Sequence, residues 1–199
     1  YAYGLNNTFT GYVGAQYTDM DFYAGLLGLA MNTRIGAFAL DVTGSYADID
    51  GLDTLKGQSY RLTYSKMLEA TNTSLNVAAY RFSTEDYLSL NDAASLQDSI
   101  HHEEYGNRSY DSNAELYADY QRTKNQRQVS LNQPLNVNGD EYGSLYISGT
   151  WQDYWNNSSS TSDYSVGYNN SFAYGSYSVS VQRTYNETGE KDDSVYLNV

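Results

Sequence analysis

The stretch Phe38-Ala39-Leu40-Asp41-Val42-Thr43-Gly44-Ser45 decides the fold. Phe38, Leu40 and Val42 are apolar, Asp41, Thr43 and Ser45 between them are polar, and only a β-strand turns a period of two into two distinct faces. The pattern recurs upstream, where Phe9, Val13, Ala15 and Tyr17 alternate with Thr8, Thr10 and Gln16, and Tyr23, Leu27, Leu29 and Met31 oppose the small residues Ala24, Gly28 and Ala30. Downstream, Tyr60, Leu62 and Tyr64 oppose Ser59, Arg61, Thr63 and Ser65. Residues 73–84 change phase, with Leu75 and Val77 on one side and Tyr80 and Phe82 on the other. That needs a bulge near Ala78-Ala79 or a two-sided face. Val129 and Leu131 stand between Gln128, Ser130 and Asn132 in a further strand, and Leu145, Ile147 and Trp151 alternate with Tyr146, Ser148, Thr150 and Gln152 in the next. Tyr164 to Phe172, Tyr177 to Val181, and Val195 with Leu197 complete about ten strands.

The connections give the architecture. Asn6-Asn7 and residues 32–36, 69–72, 136–142 and 173–175 are short or moderate turns; residues 18–22, 47–57, 85–115, 156–162 and 186–193 fall between them and are mostly longer. The two sets alternate, as an antiparallel meander requires. Of the 24 Asp and Glu, all but Asp41, Glu69, Asp140 and Glu141 lie in the longer loops or the strand ends beside them. Short turns on one rim and long loops on the other is the asymmetry of bacterial outer-membrane barrels. The expected fold is therefore all-β: an antiparallel up-and-down transmembrane β-barrel, of which residues 1–199 form a part. Solvation explains the acidic rim; divalent cations bridging to lipid phosphates are the sharper alternative.

Composition agrees. The 199 residues include 23 Tyr, 16 Gly, 1 Pro and no Cys, which favours strands over helices and excludes a disulfide scaffold or thiolate metal site. No window nears the roughly 18 apolar residues of a spanning helix. The mean hydropathy of −0.63 is no objection, because a barrel strand turns alternate residues to a wet lumen. A formal charge of −13 argues against a nucleic-acid partner. Tyr1-Ala2-Tyr3 is no targeting segment, and Tyr196 to Val199 resembles the middle of a strand, so both ends are expected to be cuts in a longer chain. Aromatic residues gather at strand ends, as in Tyr17, Phe22, Tyr23, Tyr46, Trp151, Tyr154, Trp155 and Tyr185. Rings with a polar handle suit the lipid headgroup level.

Candidate chemical sites weigh little. His101-His102-Glu103-Glu104 is the only histidine cluster. Neighbours on an extended chain point apart, and the spacing matches no zinc motif, so no metal site is expected. No serine stands in a nucleophile-elbow context, and Asp192-Asp193 or Asp140-Glu141 suit turn solvation better than a glycosidase pair. No catalytic residue and no cofactor are assigned.

Six segments in order resemble the barrel of fimbrial outer-membrane ushers: YGLNNTFTGYVGAQYTD (3–19), RIGAFALDVTGSYA (34–47), GQSYRLTYSK (57–66), NVAAYRFSTEDYLSL (76–90), QRQVSLNQPL (126–135) and GSLYISGTWQDYW (143–155). The resemblance implies a pore of roughly two dozen strands. Such a pore accepts pilus subunits from periplasmic chaperone-subunit complexes and exports and assembles them. It also implies that this stretch lies after the plug, without the family's N-terminal, plug or C-terminal domains. The alternation then assigns Gln16, Asp41, Thr43, Arg61, Thr63, Ser148, Thr150 and Gln152 to the lumen. It assigns Phe38, Leu40, Val42, Tyr60, Leu62, Leu145, Ile147, Trp151 and Trp155 to lipid or an aromatic girdle. The lumen residues would ease transit, or merely solvate the pore and pair across strands. Two rivals stay open: a small closed ten-strand outer-membrane barrel, with pairing between first and last strands, and a soluble secreted β-protein binding glycans, with aromatics buried between sheets.

Overall fold

In the computed structural model, backbone pairing carries the alternating segments well beyond their apolar cores. The structure describes residues 1–199 apart from 20, 50, 103, 106, 107, 110, 138, 139, 157–159 and 187, and describes only the backbone of 76–78, 104, 105, 108 and 137. The strands are β1 (Ala2–Gly4), β2 (Phe9–Thr18), β3 (Phe22–Thr33), β4 (Gly36–Ala47), β5 (Leu55–Leu68), β6 (Thr73–Ser83), β7 (Glu104–Tyr105), β8 (Arg108–Ser109), β9 (Thr123–Val137), β10 (Asp140–Tyr154), β11 (Thr161–Phe172), β12 (Gly175–Tyr185) and β13 (Lys191–Asn198). Eleven form one antiparallel sheet in the order β1-β2-β3-β4-β5-β6-β9-β10-β11-β12-β13, while β7 and β8 pair only with each other. The eleventh strand is β1, too short to show a period of its own, and held by Ala2↔Tyr12 and Gly4↔Thr10.

Three expectations need correction. Most connections taken as long are moderate: 19–21, 48–54, 155–160 and 186–190 separate their strands, all but the first longer than the turns of the other rim, and 84–122 alone is long. The ladder is built from backbone groups, so it continues through polar rim residues such as Lys56, Asp153 and Lys191, where an apolar pattern stops. The phase change in β6 is absorbed between Leu75 and Val77 against β9, ahead of Ala78-Ala79. Finally, β1 and β13 stand at opposite ends of the sheet and do not pair, so these strands do not close a small barrel among themselves. A further irregularity lies between Glu141 and Ser144. There Gly143 takes φ +83°, a left-handed conformation that glycine adopts at little cost.

Directly paired residues share a face, so the register separates the chemistry. Phe38↔Tyr64, Leu40↔Leu62 and Val42↔Tyr60 lie on one face, with Ile147 opposite both Leu131 and Val166. No second sheet covers this face: Leu40 is 56% exposed and Ile147 51%. Its rings form two rows. Near the loops, Tyr17, Tyr23 and Tyr46 are joined by centroid separations of 5.0 and 5.8 Å, Phe82 links Tyr60 to Trp155, and Tyr164 links Trp151 to Tyr185. Near the turns, Phe38 meets Tyr64 at 4.8 Å and Tyr177 meets Tyr168 and Phe172. The glycan-binding alternative required these aromatics to be buried between sheets, and they are not.

The buried cluster sits at the loop end of the opposite face. The connection 84–122, which contains the segment 85–115 to which alternation gives no conformation, holds two helices, α1 (Leu90–His102) and α2 (Asn113–Asp119). Ser89 and Asp92 cap α1 reciprocally: Asp92 N donates to Ser89 Oγ and Ser89 N to Asp92 Oδ2, both at 3.2 Å. Ser112 caps α2. Ala93, Leu96 and Ile100 form one helical stripe and pack with Phe22, Ala47, Leu55, Leu88, Leu116 and Tyr120. The chain reaches α1 by crossing Gly57, where a side chain would collide with the backbone of Tyr87. Arg122 ties down the far end, donating from Nη1 to Tyr117 Oη at 2.7 Å, while Tyr117 donates to Asp86 Oδ1 at 3.0 Å. Burial pushes the Tyr117 phenol up to about 12, against the pull of Arg122. His101 and His102 therefore occupy the last turn of α1 and not an extended chain. Adjacent helical residues still diverge by about 100°. Glu103 lies outside the described residues.

Candidate functional site

The polar face is assembled from single residues contributed by successive strands. One row runs across most of the sheet: Tyr12 opposite Gly28, then Asp41, Arg61, Arg81, Gln126, Gln152 and Thr161. A second joins Thr63, Ala79, Gln128, Thr150, Asp163, Thr184 and Asp192. A third joins Ser130, Ser148, Ser165, Gln182 and Ser194. Gln16 shares this face through Ala24, Ser45 and Gly57, and Thr43 through Ser59 and Ser83. The structure thus places Gln16, Asp41, Thr43, Arg61, Thr63, Ser148, Thr150 and Gln152 on one face. Phe38, Leu40, Val42, Tyr60, Leu62, Leu145, Ile147 and Trp151 lie on the other. Trp155 follows β10 at the rim, where its indole N–H donates to Ser83 O at 2.9 Å.

Charge on the polar face is tied down locally, by an ion pair at Asp41 and by neutral partners elsewhere. Asp41 is 4% exposed because Tyr12 and Arg61 cover it: both the Tyr12 hydroxyl and Arg61 Nε donate to Asp41 Oδ2 at 3.1 Å. Tyr12 reaches it by lying flat over Gly28, and Tyr146 covers Gly167 in the same way. Arg81, directly opposite Arg61, is held off by other partners, donating from Nε to Ser59 Oγ at 2.9 Å and resting 5.2 Å from the Tyr87 ring. Thr184 donates to Asp163 Oδ1 at 2.6 Å. Such a surface can hydrate a passing solute and offers little to grip it. Asp41→Asn leaves Arg61 and Arg81 facing each other uncompensated. The expected cost is about 1–2 kcal/mol, limited because Arg61 is half exposed. Urea midpoints of the full-length protein check it, and adding Arg61→Gln should recover part of the loss; full additivity of the two changes would mean that the pair is not coupled.

A family model described as "Outer membrane usher protein" matches residues 1–199. The chain belongs to the outer membrane usher family. Among curated ushers it is 53% identical over 197 residues to usher HtrE of Escherichia coli (strain K12), covering 99% of this chain and 22% of that protein. It is 41% identical over 199 residues to usher MrkC of Klebsiella pneumoniae, covering 98% and 22%. The chain therefore spans about a fifth of the length of these relatives. A solved translocation pore of the P pilus usher PapC superposes with a TM-score of 0.63 at 28% identity, covering 98% of this chain and 36% of that one. The usher segment is thus part of an outer-membrane barrel. Alternation places Tyr146 and Gln128 on the polar face, but Tyr12 counts as apolar by type and escapes it. Only the register reveals the glycine opposite each tyrosine. That Arg81 and Gln126 stand side by side likewise follows only from the register.

Proposed function

We propose that residues 1–199 form wall of an outer-membrane pore that exports pilus subunits delivered by periplasmic chaperone-subunit complexes and assembles them into a fibre. The polar face lines the lumen, and the apolar face meets lipid. The observation that carries this reading is the separation of faces: polar rows of mixed charge cross the sheet on one side, and exposed aliphatic residues lie between two aromatic rows on the other. From Phe38 to Tyr46 a strand rises about 27 Å. Tilted by about 40°, that is roughly 20 Å of height, near the apolar band of such barrels. Membership of the usher family and the likeness to a pilus usher pore supply the cargo. The polar face supplies a path for folded protein and no covalent chemistry; no cofactor or nucleic acid is involved.

Photo-crosslinking in the full-length protein during pilus assembly tests the assignment. A photoreactive residue at Thr150 should capture pilus subunits, and one at Ile147, on the opposite face, should not. Equal capture from both positions would overturn it.

A further inference from the structure

Five of the cations share the loop-side end of the sheet with the acids. Of 11 Lys and Arg, Lys56, Lys124, Arg127, Arg183 and Lys191 gather at the loop-side end of the sheet, among the aromatic row. Lys56 lies 5.2 Å from the Tyr46 ring and Lys124 4.3 Å from that of Trp155. Arg127 stands opposite Tyr80 and Trp151, and Lys191 opposite Tyr185. Both are exposed, and neither has a hydrogen bond or ion pair among the described residues. Arg183 is paired with Asp193 through bonds of 2.6 and 3.0 Å and also bonds to Tyr185, which leaves some of its five guanidinium N–H groups unused. A groove of about 890 Å³ opens there on the apolar face, lined by Val166, Val181 and Val195, walled by Tyr164 and Tyr185, and completed by Ser162 and the Arg183–Asp193 pair. A chain of net charge −13 thus places basic groups above an apolar groove at one membrane level.

We propose that this end of the apolar face binds the phosphate groups of a phosphorylated, acylated lipid of the outer leaflet. Arg183 and Lys191 hold one headgroup phosphate, the valine groove takes an acyl chain, and Arg127 and Lys56 engage neighbouring headgroups around the wall. Clustered basic groups at a bilayer surface recognise anionic headgroups in this way, and guanidinium–phosphate bonds add geometry to the attraction. The inference rests on the assignment of the apolar face to lipid.

Native mass spectrometry of the full-length usher in detergent, titrated with bisphosphorylated lipid A or its dephosphorylated form, tests it. Wild type should retain the phosphorylated lipid at least tenfold better. The triple variant Lys56→Gln/Arg127→Gln/Lys191→Gln, which breaks no hydrogen bond or ion pair, should lose that preference. Retention by the variant within twofold of wild type, or equal binding of the two lipids by wild type, overturns the inference. Destabilisation by Leu40→Arg separates the two readings: if it costs no more than Thr43→Arg on the opposite face, the face assignment falls and the inference with it; if it costs clearly more while the triple variant binds like wild type, only the inference falls.

Discussion

Replacing Leu40 by arginine is expected to lower the stability of the full-length protein in a phosphocholine bilayer by about 1–3 kcal/mol, between the penalties for a guanidinium at the interface and at the midplane of a barrel's lipid face. Leu40 is 56% exposed, pairs with Leu62, and sits between the aromatic rows marked by Phe38 and Tyr46. Leu40 lies roughly 5 Å of height from the Phe38 row, so an arginine there can snorkel part of the way to that interface and pays less than at the midplane. Thr43→Arg, three residues along the same strand and on the polar face beside Ser59, should cost less than about 1 kcal/mol. Reversible insertion into vesicles, followed by urea titration, measures both. The comparison holds strand, side chain and charge constant and changes only the face. Equal costs at the two positions would refute the assignment of faces.

The second large effect lies in the crossover between β6 and β9. Leu96 is 0% exposed at the centre of the cluster that seats α1 on the loop end of the polar face. Leu96→Ala should cost about 2–4 kcal/mol, as other buried leucine truncations do. The loss falls on the local unit, because the flanking strands are held by their own ladders. Amide exchange within α1 should accelerate on the order of a hundredfold, with β10 to β12 unchanged. Gly57→Val should release the same unit from the other side, by driving the Tyr87 backbone off the sheet. If α1 stays protected in both variants, something other than this packing holds the crossover in place.

What alternation can show is the face of a residue, and what it cannot show is its neighbour. Asp41, Thr43, Arg61 and Thr63 separate from Leu40, Val42 and Leu62 because a period of two needs no knowledge of register. The aromatic rows are legible for the same reason. The shield over Asp41 is not, because Tyr12 and Gly28 meet only through a pairing set by the β2–β3 turn. The site of the irregularity in β6 is hidden likewise: the phase change is visible in the sequence, but the residue absorbing it is chosen by the partner strand β9. The helix α1 did leave a signal. Ala93, Leu96 and Ile100 follow a helical spacing, and Ser89 with Asp92 makes a capping box. An acidic segment between strands invites reading as solvated loop, and that composition masked a helix whose apolar side is only one narrow stripe.

Strand order also governs how the wall can be built. Each strand in the sheet but one pairs with its immediate successor, so closure proceeds hairpin by hairpin with small entropy losses. The single seam that must wait is β6 with β9, whose ends are separated by residues 84–122. Bringing such distant segments together costs more than a tight turn does. The compact α1 unit shortens the effective tether by docking on β3 to β5 before β9 arrives, which turns a slow encounter into a short reach. Folding of this region should therefore be limited by the nucleation of a helical cap outside the membrane, and the ladders on either side of the seam form earlier and independently.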